Sequence, residues 1–167
     1  MKSSYLIAAA LVIVILIIGI YLEANNSPVV AKGDNISVYY TGKLTNGTVF
    51  DTNVGKAPLN FTVGAGQMIA GFDQGVIGMK LNQNKTLTLS PSQAYGNVNP
   101  SLIITVPLSR FGNLTPRVGM NVGYTANGQQ MQGVVTKVNA TNATVDFNSP
   151  LAGQTLIFTV EVVKIQK

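Results

Sequence analysis

The chain begins with an apolar run and continues as short segments in which apolar and polar residues alternate. The run extends from Tyr5 to Leu22, and Lys2 is the only charged residue before it. Its eighteen residues, at 1.5 Å of rise per residue, nearly span a hydrocarbon core of ~30 Å. Residues 1–24 are therefore predicted to form a signal-anchor transmembrane helix that leaves the rest of the chain on the extracytoplasmic side of the cell membrane. The alternative is a signal peptide cleaved near Ala24.

After a short polar linker at residues 25–32, the pattern is typical of β-strands separated by turn-forming residues. One helix is predicted over Ala70–Met79, because Phe72, Val76 and Met79 give that segment an apolar side. The sum is an α+β fold dominated by antiparallel strands. The predicted strands are Asn35–Tyr40, Thr48–Asp51, Leu59–Val63, Lys85–Leu89, Met120–Thr125, Met131–Val138, Thr144–Phe147 and Leu156–Ile165.

Composition narrows the possible chemistry. The chain has no cysteine and no histidine, which excludes disulfides, thiolate nucleophiles, Cys/His zinc sites and a histidine general base. The basic residues do not cluster as a nucleic-acid surface requires, so we expect no nucleic-acid partner. We also expect no metal and no cofactor. Asn-X-Ser/Thr sequons, which agree with export, begin at Asn25, Asn35, Asn46, Asn60, Asn84, Asn113, Asn139 and Asn142.

A hairpin is predicted around Asn46-Gly47, because this dipeptide readily adopts the positive φ angles of a type I′ turn. Its strands carry Tyr40, Phe50 and Asp51. The chain has only six acidic residues, so an acid beside a phenylalanine at a strand end suggests a functional role. The structural alternative is that Asp51 ends the strand by accepting hydrogen bonds from its own backbone.

Several motifs occur in an order that resembles the FKBP family of peptidyl-prolyl isomerases. They are Tyr40-Thr41-Gly42, Asn46-Gly47-x-x-Phe50-Asp51, Gly64-x-Gly66-Gln67-x-Ile69-x-Gly71, Gly78-Met79 and Ala94-Tyr95-Gly96. The later segment Asn148-Ser149-Pro150-Leu151-Ala152-Gly153 resembles an element of the SlyD-like branch, in which a small β domain is inserted into the flap. The resemblance implies an antiparallel half-barrel wrapped on one short helix at residues 33–98 and 148–167, with the inserted β domain at residues 99–147.

The same resemblance implies the site residues. Tyr40, Asp51, the backbone N–H of Ile69 and the hydroxyl of Tyr95 would act on the substrate amide. A hydrophobic pocket for the proline ring would be lined by Phe50, Leu59, Met68, Phe72 and Phe158. The alternative for these aromatic residues is ordinary core packing. Three positions depart from the family pattern: Leu59 replaces a frequent aromatic residue, Phe72 a frequent tryptophan, and Ser149 the histidine of the flap element.

The implied function is rotation of X-Pro bonds in exported or membrane proteins, with proline-containing unfolded or partly folded polypeptides as partners. The inserted domain would add chaperone activity through apolar residues at Leu102–Val106, Leu108, Phe111, Leu114 and Met120, which could instead fill a core of their own. A second hypothesis is a catalytically weak chaperone or binding module on the same fold. The replacements at Leu59, Phe72 and Ser149 leave this hypothesis open. A missing His-rich tail argues against nickel handling.

Overall fold

The computed structural model of the protein describes residues 12–17, 27–126 and 129–167. The chain divides into two compact units. The first unit comprises the chain up to Thr88 together with Ile157–Lys167, and the second unit comprises Leu89–Leu156. The second unit therefore includes more residues on both sides than the insert expected at residues 99–147.

Residues 12–17 are helical. In the part of the chain that is described, no helix has the length and apolar character needed to cross a membrane. The rest of the run from Tyr5 to Leu22, on which the anchor prediction depends, lies outside the described residues.

The described residues form nine strands, and the predicted antiparallel α+β character is confirmed. In chain order the strands are β1 (Asn35–Leu44), β2 (Val49–Thr52), β3 (Leu59–Thr62), β4 (Asn84–Leu89), β5 (Ile103–Pro107), β6 (Asn121–Ala126), β7 (Gln129–Val138), β8 (Asn142–Asp146) and β9 (Leu156–Gln166).

The first unit is a five-stranded sheet with the strand order β2-β1-β9-β4, in which β3 also pairs with β1. Alternate residues of β9, namely Leu156, Phe158, Val160 and Val162, are buried. This period of two places one face of the sheet against the core. The helix Ala70–Val76 contributes Phe72 and Val76 to the same core.

The helix ends three residues before the predicted boundary at Met79. Ile77 is already extended, and Gly78 has a φ of +82°, a conformation that glycine adopts at little cost. From Gly78 onward the chain instead pairs with residues 28–30, since the Gly78 amide donates to the Val30 carbonyl and the Val30 amide to the Met79 carbonyl. Val30 is buried as a result. Part of the expected linker at residues 25–32 therefore belongs to the folded unit.

The second unit is a four-stranded antiparallel sheet with the order β5-β8-β7-β6. Its core consists of Val135, Ala143, Val145 and Phe147. Most of the apolar residues to which chaperone activity was assigned, including Leu102, Leu108 and Phe111, are partly buried against this core. Ile103, Ile104 and Leu114 differ, because 40%, 37% and 59% of their surfaces are exposed. The two alternatives for these residues thus apply to different members of the set.

Candidate active site

Five aromatic side chains of the first unit pack against one another, and we call them the aromatic cluster: Tyr40, Phe50, Phe61, Phe72 and Phe158. Phe158 lies at the centre, with its ring centroid 5.3 Å from Phe72 and 5.6 Å from Phe50. The interplanar angles of these two pairs are 79° and 87°, the edge-to-face arrangement that aromatic rings favour. Phe72 and Phe158 are buried, whereas Tyr40 and Phe50 are half-buried. The cluster thus has a closed floor and partly open walls.

Gly42 allows the rings of the cluster to close up. It lies two residues after Tyr40 on β1 and so faces the same side of the sheet. A Cβ atom at this position would lie 2.6 Å from Cζ of Phe50 and 2.9 Å from Cε1 of Phe158. In the sequence, Gly42 stands out only as part of a motif. In the structure, the space that a side chain would take at this position is filled by the rings of Phe50 and Phe158.

A β-bulge at Phe50 explains how two consecutive residues serve one cluster. Gly42 pairs with Asp51 and Lys43 pairs with Val49, so Phe50 has no partner in the register. Consecutive residues of a regular strand point to opposite faces, and a bulge changes the direction of a side chain. Phe50 therefore packs against Phe158 while Asp51 reaches Tyr40.

The Tyr40 hydroxyl donates a 2.6 Å hydrogen bond to Oδ2 of Asp51. Asp51 is exposed at the rim of the aromatic cluster. Among the described residues its carboxylate accepts no backbone N–H, so the strand-ending alternative does not describe its contacts. The pair gives the apolar cluster one oriented anionic group at the edge that faces solvent.

Asn53 fixes the backbone of Tyr40 although it lies beyond the end of β2. Its Oδ1 accepts a 2.7 Å hydrogen bond from the Tyr40 amide, and its Nδ2 donates to the Val38 carbonyl at 3.0 Å. The side-chain amide thus continues the strand pairing that β2 no longer provides. Residues 53–58 lie outside the predicted strands, so the sequence alone did not indicate this contact. An asparagine directly after a strand was the only available signal.

Of the remaining predicted residues of the first unit, Met68 and Ile69 directly precede the helix, and Leu59 is the first residue of β3. Leu59, Met68 and Ile69 are half-buried. The Ile69 carbonyl accepts hydrogen bonds from the amides of Phe72 and Asp73 at 3.0 and 3.1 Å. Its own N–H donates to no acceptor among the described residues, so it is free to donate to a ligand.

Tyr95 belongs to the second unit, where 46% of its surface is exposed. Its role at the substrate amide stays a prediction.

Phe61 of the first unit was predicted only as a strand residue, but its ring centroid lies 6.0 Å from that of Phe72. In the described part of the chain, no group of three or more acidic residues is placed to hold a metal ion.

Comparisons with known proteins agree with this geometry. Residues 27–163 match the family model described as FKBP-type peptidyl-prolyl cis-trans isomerase. The chain is 36% identical over 140 residues to the FKBP-type 16 kDa peptidyl-prolyl cis-trans isomerase of Escherichia coli (strain K12), covering 81% of this chain and 93% of that protein. It is 33% identical over 153 residues to the short-type peptidyl-prolyl cis-trans isomerase of Methanocaldococcus jannaschii, covering 82% and 94%. It is 34% identical over 115 residues to the FKBP-type peptidyl-prolyl cis-trans isomerase SlyD of Helicobacter pylori, covering 68% and 62%.

Proposed function

The chain belongs to the family of FKBP-type peptidyl-prolyl cis-trans isomerases, and we propose that its aromatic cluster is where X-Pro bonds of exported polypeptides are rotated. The observation that carries this proposal is the Tyr40–Asp51 hydrogen bond at the rim of five packed aromatic rings. An apolar floor with one polar edge suits a proline ring flanked by amide groups.

The reaction suits a chain without cysteine or histidine. Rotation about a peptide bond meets a barrier of ~18–20 kcal/mol because amide resonance is lost, and no bond is broken and no proton moves. Resonance places charge on the carbonyl oxygen, so transfer of the amide out of water favours the less polar twisted state. A 10³-fold acceleration requires only about 4 kcal/mol. Packing and a few hydrogen bonds, made best to the twisted amide, are sufficient.

Each side chain then has a distinct role. Phe72 and Phe158 form the floor under the proline ring, and Tyr40 and Phe50 form its walls. The free N–H of Ile69 donates to a substrate carbonyl next to the target bond. Asp51, held by Tyr40, places negative charge near the carbonyl carbon and amide nitrogen while the bond twists.

A protease-free proline-isomerisation assay on the full chain in detergent tests this proposal. Asp51→Ala should lower kcat/KM by about tenfold or more, the loss of roughly 1.4 kcal/mol of transition-state stabilisation. Val49→Ala is the matched control, since Val49 lies on the same strand and is exposed. If the wild-type chain isomerised the substrate no faster than buffer alone, the result would contradict the proposal and leave the binding-module alternative.

We further propose that the second unit holds unfolded clients. It contains a cleft of about 650 Å³, lined mainly by apolar side chains that include Val106, Phe111, Leu114 and Met120. Exposed apolar surface of this kind is typical of a site for non-native chains. Leu114→Asp should weaken suppression of client aggregation, whereas Val118→Asp, at an exposed position outside this cleft, should not. An equal loss of aggregation suppression in both variants would contradict the proposal that the cleft binds clients.

The third proposal is that the N-terminal run anchors the protein in the membrane, with the folded units on the extracytoplasmic side. Residues 12–17 are helical, and each of these six apolar side chains is at least half exposed. A helix that is apolar and unburied is stable where lipid replaces water. Extraction of membranes with alkaline carbonate should leave the full chain in the pellet. Release into the supernatant would contradict anchorage.

A further inference from the structure

The loop that joins β3 to the helix, residues 63–69, ends at Ile69 and has little backbone pairing of its own. In the described part of the chain, residues 64–68 make a single backbone-to-backbone hydrogen bond, from the Ala65 amide to the Thr62 carbonyl at 3.2 Å. Since backbone groups of a folded chain need partners, side chains are left to hold this β3–helix loop in place.

Asp73 joins the two ends of the β3–helix loop. Its amide donates to the Ile69 carbonyl at 3.1 Å, within the first turn of the helix. Its carboxylate accepts the Gly64 amide, and each of the two carboxylate oxygens lies 2.9 Å from that nitrogen. A hydrogen bond to an ionised acceptor is stronger than one between neutral groups. Asp73 therefore closes the start of the loop against the start of the helix.

Gln67 supplies a second tether, two residues before Ile69. Its Oε1 accepts a 2.8 Å hydrogen bond from the Thr62 amide at the end of β3. The Gln67 side chain is exposed, so burial does not hold it in this position. The hydrogen bond instead fixes the residue that directly precedes Met68.

The direction of the Ile69 N–H depends on the loop more than on the helix. The helix holds the Ile69 carbonyl, which accepts the amides of Phe72 and Asp73. The N–H, however, belongs to the planar peptide unit that Ile69 shares with Met68. Because this N–H donates to no acceptor among the described residues, no hydrogen bond of its own orients it. The two side-chain tethers of the loop are the contacts that set its direction.

The alternative role for Asp73 is to stabilise the helix. An acid in the first turn interacts favourably with the helix dipole. That effect depends on negative charge, whereas the contact with the Gly64 amide depends on a correctly placed acceptor oxygen. Asparagine separates the two roles, because it loses the charge and keeps one acceptor oxygen.

We propose that Asp73 and Gln67 are positioning residues of the isomerase site, which orient the Ile69 N–H toward a substrate carbonyl. The inference rests on the proposed role of Ile69 in that site. Neither side chain acts on the substrate itself, and each acts through the backbone of the β3–helix loop.

Isomerisation kinetics of the full chain in detergent give the first test, with the tetrapeptide Ala-Phe-Pro-Phe as substrate. Asp73→Ala should lower kcat/KM by about tenfold, because small displacements of a positioned group reduce rates strongly. Asp73→Asn should stay within about threefold of the wild type, although the lost charge lowers its stability. Gln74→Ala, at an exposed position on the same helix, is the matched control and should leave kcat/KM unchanged. Equal losses in Asp73→Ala and Asp73→Asn would assign Asp73 to helix stabilisation and overturn its positioning role.

Gln67 gives an independent test of the loop, which stands even if Asp73→Ala does not fold. Gln67→Ala should lower kcat/KM about threefold or more, whereas Gln67→Glu keeps an acceptor oxygen and should restore most of the rate. Wild-type kcat/KM in Gln67→Ala would remove Gln67 from the proposal.

The sequence also allows the Ile69 amide to be observed alone by NMR. Met68-Ile69 is the only Met-Ile pair in the chain, so carbon-13 in methionine carbonyls and nitrogen-15 in isoleucine amides isolate one HNCO signal. Saturating tetrapeptide should shift this signal in the wild type and in Asp73→Asn, and should shift it much less in Asp73→Ala and Gln67→Ala. Equal shifts in all four proteins would overturn the positioning roles while the proposed site stands. No shift in the wild type would overturn the donor role of Ile69 and this inference together, whereas the isomerisation rate tests the aromatic cluster separately.

Discussion

The aromatic cluster of the first unit and the apolar cleft of the second unit are built in opposite ways. The cluster consists of rings in edge-to-face contact, closed around Gly42, with one oriented carboxylate at its rim. The cleft is lined largely by aliphatic and methionine side chains, and Leu114 is exposed.

This difference indicates two kinds of binding. Aromatic rings have few rotamers and hold one shape, which suits a single small ring such as proline. Flexible aliphatic and methionine side chains adapt to many partners. We therefore expect changes in the cluster to affect catalysis sharply and changes in the cleft to affect client capture gradually.

The largest expected effect separates the cores of the two units. Phe158→Ala removes a buried ring that contacts Phe72, Phe50 and Tyr40, at a cost of about 3–5 kcal/mol. Phe147→Ala does the same to the core of the second unit. Hydrogen exchange followed by mass spectrometry should show lost protection mainly in the unit that carries the substitution. Equal loss throughout both units after either change would mean that they unfold as one.

The next effect tests the shape of the cluster. Gly42→Ala forces the rings of Phe50 and Phe158 to move, and overpacking of this kind typically costs about 1–3 kcal/mol. We expect kcat/KM to fall by at least about tenfold, because the walls of the cluster shift. Gly123→Ala in the second unit is the matched control, since the nearest atom to its added Cβ lies 4.0 Å away. Normal turnover by the Gly42→Ala protein would show that the rings are not the proline site.

A smaller effect tests the positioning of Tyr40. Asn53→Ala removes hydrogen bonds to the Tyr40 amide and the Val38 carbonyl, each worth about 0.5–1.5 kcal/mol. We expect kcat to fall several-fold on short peptides, because Tyr40 no longer holds Asp51 in place. Asn148→Ala removes comparable bonds to Asn99 and Asp146 in the second unit and should leave kcat on short peptides unchanged. If Asn53→Ala and Asn148→Ala lost similar stability and had the same kcat on short peptides, Asn53 would have a purely structural role.

The smallest effect concerns pH. Hydrogen bonds from Lys167 and from the Ala31 amide lower the pKa of Asp34, against the opposing effect of burial. Because the folded-state pKa lies below the unfolded value of ~3.9, the stabilisation is complete above that value and is lost as pH falls through the folded pKa. Urea unfolding at about pH 6 and at about pH 3 should show a smaller loss of stability in Asp34→Asn than in the wild type. Equal losses would mean that Asp34 is not the titrating group.

Local pattern was sufficient to predict eight of the nine strands in the described residues, because alternation and turn residues act within a few positions; β5 (Ile103–Pro107) was not among the predicted strands. The buried alternation of β9 is of this kind. The hairpin at Asn46-Gly47 also forms, but the predicted type I′ turn is wrong: of these two residues only Gly47 has a positive φ, at +87°, and its amide donates to the Leu44 carbonyl at 2.9 Å. Longer-range pairing decided the rest. The helix ends at Val76 because Gly78 bonds to Val30, a residue almost fifty positions earlier in the chain. The use of Asn53 in place of a strand residue depends on its position opposite Tyr40, thirteen residues earlier across the hairpin.

By itself, the sequence determined most of the strands and the helix that begins at Ala70, and it excluded cysteine and histidine chemistry, since residue types and local periodicity are sufficient for these. Its ordered motifs also pointed to the family. Only the tertiary structure decided that Phe50 sits in a bulge, that Gly42 makes room for two rings, and that Asp51 is held by Tyr40. These facts depend on the register between two strands, and a shift of one residue reverses the face of every side chain.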